Sequence, residues 1–141
     1  MAVTSEATAV WNGSLFEGDG RTSLDSSGVA TFDVNWKARS EGSSSMTNPE
    51  ELLAAAHATC FSMFFSLTLT EAGFTPDSIQ TTAAVTFQPG EGVTGSHLLV
   101  NAKVPGIGDE DFERIAENAR ANCPISQALG GVPITLEASM A

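Results

Sequence analysis

The sequence predicts an α+β fold, and three observations carry that reading. A long apolar helix opens at Thr47-Asn48-Pro49-Glu50-Glu51, a second, amphipathic helix covers residues 109–122, and alternating or β-branched stretches lie before, between and after them. Strands, helix, strands, helix, strand is the order of an α+β domain, and the 141 residues fit one domain spanning positions 1–141. Composition agrees: 42% of residues are hydrophobic and 16% charged, enough for a packed core.

Taken in order, residues 7–15 alternate and end near glycines, which predicts a strand. Residues 22–25 and 29–36 read as two more, flanking turn chemistry at Ser26-Ser27-Gly28. Residues 41–45 are small and polar and read as a loop. The helix that follows starts with Asn48 as N-cap, Pro49 at the first helical position and two carboxylates in the positive first turn. It runs to Ala72-Gly73 and is apolar or small on nearly every face. Such a helix should be buried all round. One domain of this length has little material to cover it, so a second subunit is expected to help.

Residues 79–87 and 97–104 read as strands joined by a turn at Pro89-Gly90-Glu91-Gly92. The amphipathic helix places Phe112, Ile115, Ala116 and Ala119 at core spacing. Cys123-Pro124 interrupts it, residues 125–129 give one more turn, and 133–138 read as the last strand.

Charge narrows the function. Six Lys and Arg against 17 Asp and Glu leave a net charge of -11, which repels phosphate backbones and anionic lipid heads. Neither a nucleic acid nor a membrane is an expected partner. The first residues lack a basic and apolar leader, so a cytoplasmic location is expected. No metal is expected, because Cys60, Cys123, His57 and His97 have no zinc-ligand spacing.

Two cysteines in a reducing compartment suggest a reversible pair. By local argument Cys60, inside an apolar helix, is either an inert buried thiol or a nucleophile that needs a positive neighbour. Cys123 sits at an N-cap before Pro124, where a helix terminus favours the thiolate, and ranks as the more acidic of the two. Arg39 is one of few cations and could hold a thiolate and a second oxygen in its fork. Glu50 either complements the helix dipole or aims that guanidinium. His57 shares a helix face with Cys60 but reads more readily as a hydrogen-bonded core histidine. Met46, Phe61 and Phe64 are core residues that could also line a greasy approach to Cys60.

Thr47-Asn-Pro-Glu-Glu-Leu52, Ala55-Ala-His-Ala-Thr-Cys-Phe-Ser-Met63, Glu71-Ala-Gly-Phe74 and Asn122-Cys-Pro-Ile-Ser126 resemble the OsmC/Ohr family, with His57 and the Glu-Ala-Gly-Phe stretch closer to its OsmC branch. The family comprises osmotically inducible and organic hydroperoxide resistance proteins. The resemblance implies an intertwined α+β homodimer, two long helices wrapped by sheets from both chains, with active sites at the subunit interface. It implies a thiol peroxidase without cofactor. Cys60 would attack the hydroperoxide and Cys123 would resolve it as a disulfide. Arg39, with Arg21 as the alternative, would activate Cys60, and Glu50 would orient the arginine. An external dithiol, with a lipoylated protein as one candidate, would restore both thiols. Met46, Phe61 and Phe64, read above from their own chemistry as lining the approach to Cys60, are the expected substrate-binding residues. The alternative implied by the same residues is a redox-sensing or ligand-binding dimer without efficient turnover.

Overall fold

The computed structural model describes every residue from Met1 to Ala141, and the chain divides into two compact units, residues 1–49 and 50–141. The α+β class is as the sequence predicts.

In the first unit, strands β1 (Thr8–Asn12), β2 (Asp19–Ser23) and β3 (Thr31–Val34) form an antiparallel meander. The expected strand over 29–36 stops early, because Asn35 caps a short helix, α1 (Trp36–Glu41). Its side-chain oxygen accepts the Ala38 N–H at 2.8 Å. Arg39 therefore lies in the last turn of a helix, just before the loop expected over 41–45. Gly42 follows with φ +83°, a backbone that residues with a Cβ avoid, and this ends α1.

In the second unit, α2 (Pro49–Glu71) begins at the proline the sequence marks. Strands β4 (Ser78–Gln88), β5 (Gly92–Lys103) and β6 (Ile134–Met140) form one sheet with β5 central, antiparallel to β4 and parallel to β6. Between β5 and β6 the chain forms α3 (Asp109–Asn122) and α4 (Pro124–Ala128). Alternation along β5 turns Ser96, Leu98, Val100 and Ala102 inward. Against them pack Phe61, Phe65 and Leu69 of α2 and Phe112, Ile115, Ala116 and Ala119 of α3. Phe65 links the two helices, its ring 5.6 Å from that of Phe112 in an edge-on contact.

α2 is not buried all round within this chain. Beyond Glu50 in its first turn, its buried residues are His57, Phe61, Phe65 and Leu69, one per turn on a single stripe, while Met63 is 70% and Leu67 51% exposed. One sheet can cover only one side of a helix. By length and composition α2 could cross a membrane. Its inward stripe instead packs on a sheet and carries a histidine with two hydrogen bonds.

Candidate active site

The candidate site forms where α3 ends. Pro124 has no N–H and cannot continue α3, but its fixed φ suits the first position of α4. Cys123, between them, takes an extended backbone with φ -61° and ψ 140°. Its Sγ becomes the cap of α4, accepting the Ser126 N–H at 3.4 Å, as the sequence suggests. The Ser126 Oγ lies 3.0 Å from the same sulfur.

Cys60 comes to this point from the middle of α2. Cys123 and the Ile125 backbone both lie close enough to act on the Cys60 thiol. Both cysteines are free; Cys123 is fully buried and Cys60 is half-buried. Burial pushes the Cys60 thiol up, the Ile125 N–H partly offsets this, and the neighbouring Cys123 adds to the rise. No cation is among these influences. The basic residues of the same unit are engaged elsewhere: Lys103 with Asp77, Arg114 with Asp111, and Arg120 with Glu117 and the Ile134 carbonyl. Arg120 is thus half-buried.

His57 does not bond Cys60 despite sharing its helix face. It is fully buried, with Nδ1 2.7 Å from Ser96 Oγ and Nε2 2.8 Å from Ser126 Oγ. The hydrogen-bonded core histidine is the reading that the structure supports. Burial lowers its pKa, so at neutral pH the ring is uncharged. The sequence reading assigned no role to Ser96 or Ser126. The strand expected to begin at His97 starts at Gly92, and its inward alternation is what places Ser96 against His57.

The other residues singled out from sequence are distributed as follows. Glu50 is 6% exposed in the first turn of α2, and no buried polar side-chain atom lacks a hydrogen-bond partner. Phe61 does not border an opening: it is fully enclosed in the core, 5.5 Å from the Phe65 ring. Phe64 is half-buried against the same core. Arg39, Met46 and Arg21 belong to the first unit. Met46 is half-buried and helps line a cleft of about 820 Å³ along that unit's sheet, which contains neither cysteine. Arg21 is exposed and pairs across the strands with Asp33 at 3.3 Å. No three His, Cys, Asp or Glu side chains converge as a metal site would require.

Residues 19–137 match the family of OsmC-like proteins, a match that spans both units. The chain is 42% identical over 132 residues to peroxiredoxin OsmC of Escherichia coli strain K12, covering 92% of each sequence. The chain belongs to the OsmC family. Among solved structures, this OsmC-family chain is similar to the organic hydroperoxide resistance protein OhrB of Bacillus subtilis. That likeness has a TM-score of 0.72 at 28% identity, over 97% of this chain and 98% of the other. An OsmC-like protein from Mycoplasma pneumoniae shares the fold alone, with a TM-score of 0.75 at 15% identity over 100% and 99% of the two chains. The names of the OsmC and OhrB relatives support a peroxide-related redox role for this OsmC-family chain.

Proposed function

We propose that this protein is a cysteine-based peroxidase that reduces organic hydroperoxides, and hydrogen peroxide as a lesser substrate, to alcohol and water. The observation that carries the reading is the meeting of Cys60 and Cys123, two free thiols 63 positions apart, inside an OsmC-family fold. The Cys60 thiolate attacks the distal oxygen of R-O-O-H; the O–O bond breaks, and the alkoxide takes a proton and leaves as alcohol. Cys60 is left as a sulfenic acid. Cys123 then attacks the Cys60 sulfur, the S–O bond breaks, and water leaves as the disulfide forms. A dithiol, for which a lipoylated protein is one source, reduces that disulfide in two exchange steps.

The thiolate has to be stabilised, because burial and Cys123 both push Cys60 towards the neutral form. We assign this to Arg39, with Glu50 orienting it. A guanidinium within about 4–6 Å lowers a thiol pKa by about one to three pH units. Met46 and Phe64 are assigned to the organic tail of the substrate, with Phe61 behind them. Each buried methylene favours an organic peroxide by about 0.8 kcal/mol. The apolar side chains left open on α2, and Val10, Trp11 and Phe16 in the first unit, support a homodimer. A reversible thiol pair fits a cytoplasmic setting.

Arg39→Ala is expected to slow the oxidation of Cys60 by hydroperoxide about 10- to 1000-fold, the equivalent of those one to three pH units, and to raise the pH at which Cys60 is alkylated. Stopped-flow oxidation and a pH series of iodoacetamide labelling measure both. Unchanged values in Arg39→Ala, with both shifted in Arg21→Ala, would move the assignment to Arg21.

The rise in the Cys60 pKa favours one second reading, a redox-sensing or ligand-binding dimer whose thiols turn over poorly. Steady-state hydroperoxide consumption with a lipoyl dithiol separates the two. Sustained turnover supports the peroxidase; a single slow oxidation supports the second reading.

A further inference from the structure

His57 is buried, titratable and unused by the cycle above. A continuous chain of polar atoms runs through it to Cys123: Ser96 Oγ to His57 Nδ1 at 2.7 Å, His57 Nε2 to Ser126 Oγ at 2.8 Å, and Ser126 Oγ to Cys123 Sγ at 3.0 Å; Cys60 is close enough to Cys123 to feel it. His57, Ser96, Ser126 and Cys123 are all buried, so bulk water has little access to the Cys123 thiol. Yet Cys123 must lose a proton before it can attack, since the thiolate is the nucleophile.

We infer that Ser126 and His57 form a proton relay that serves Cys123 in disulfide closure and in the reduction that follows. The inference deepens the peroxidase reading and rests on it. In closure, the Cys123 S–H proton passes to Ser126 Oγ while the Ser126 hydroxyl proton passes to His57 Nε2. The Cys123 thiolate attacks Cys60 Sγ, the S–O bond breaks, and the departing hydroxide takes a proton from solvent to leave as water. The imidazolium now donates from both nitrogens, to Ser96 and Ser126, so its charge is hydrogen-bonded on each side. In reduction, a reductant thiolate attacks Cys60, the S–S bond breaks, and Cys123 leaves as a thiolate. His57 returns its proton through Ser126. The second reductant thiol then releases Cys60 and carries away the two electrons as the reductant's own disulfide. One proton is taken and one returned in each cycle. The neutral state that burial imposes on His57 leaves its ring free to accept.

His57 and Ser126 are positioning and relay residues, since neither touches the peroxide. The test uses the full reduced chain and one equivalent of cumene hydroperoxide. The Cys60 sulfenic acid is trapped with dimedone at timed intervals, and disulfide closure is followed by loss of free thiol. Ser126→Ala is expected to slow closure at least tenfold while sulfenic acid forms within twofold of the wild-type rate. Ser126→Thr, which restores a hydroxyl, is expected to recover most of the closure rate. His57→Gln keeps hydrogen-bonding atoms but cannot take up a proton, and should match Ser126→Ala. If His57→Gln does not fold, the two serine variants decide the question. Wild-type closure rates in Ser126→Ala, or a loss that Ser126→Thr does not recover, would overturn the relay. If the wild type forms no sulfenic acid at Cys60, the peroxidase reading itself fails, which is a different result.

Discussion

Cys60→Ser abolishes hydroperoxide consumption, leaving only the uncatalysed background. Serine keeps the size and the hydrogen-bonding pattern but holds its proton at neutral pH, so no nucleophile faces the O–O bond. The half-buried position makes the change mild for the fold, about 1 kcal/mol or less. Loss of activity therefore reports on chemistry. Consumption of cumene hydroperoxide with a lipoyl dithiol, alongside thermal unfolding of the same sample, measures both. A folded variant that still turns over would remove Cys60 from the centre of the mechanism.

Cys123→Ser separates the two halves of the cycle. The first equivalent of hydroperoxide is still reduced, alcohol appears once, and turnover then stops for lack of a disulfide to reduce. Excess peroxide carries the stranded sulfenic acid to sulfinic acid, which dithiols do not reverse. The structure adds a direction to this expectation. Cys123 is one of the influences that raise the Cys60 pKa, so its removal should leave the first oxidation no slower than in the wild type. Rapid quench followed by intact-mass measurement counts the added oxygen atoms. Undiminished steady-state turnover would mean that the external thiol, not Cys123, resolves the sulfenic acid.

Much of the frame was legible in the sequence because it rests on local chemistry. The start of α2 follows from Asn48-Pro49-Glu50, the span of α3 from its apolar spacing, and the cap at Cys123 from the proline after it. What was lost was short or distant. The six residues of α1 were absorbed into a strand reading because Phe32, Val34 and Trp36 look β-like, although Asn35 carried the cap signal. The first residues of β5, from Gly92 to Gly95, fall between the expected turn at 89–92 and the strand expected from 97, which hid the inward position of Ser96. The serine partners of His57 stand 39 and 69 positions away, and no periodicity reports on contacts of that range. Phe61 reads from sequence as core that could also line an approach to Cys60; its helix is apolar on every face, so composition could not say that its stripe is the one that meets the sheet.

The ranking of the two thiols followed a similar course. Local reasoning found no source of acidity at Cys60, and the second unit supplies none beyond one backbone N–H. The proposed reactivity of Cys60 therefore calls for a cation, which is why Arg39→Ala carries so much weight. The proposed closing partner, Cys123, is held by hydrogen bonds to Ser126.

The most direct test of the central claim is peptide mass spectrometry of the fully reduced protein after one equivalent of cumene hydroperoxide. The account predicts one cumyl alcohol per chain and a Cys60–Cys123 cross-link within a single chain, two hydrogens lighter than the dithiol. Alcohol release with Cys60 and Cys123 still unlinked, or oxygen found first on Cys123, would contradict it.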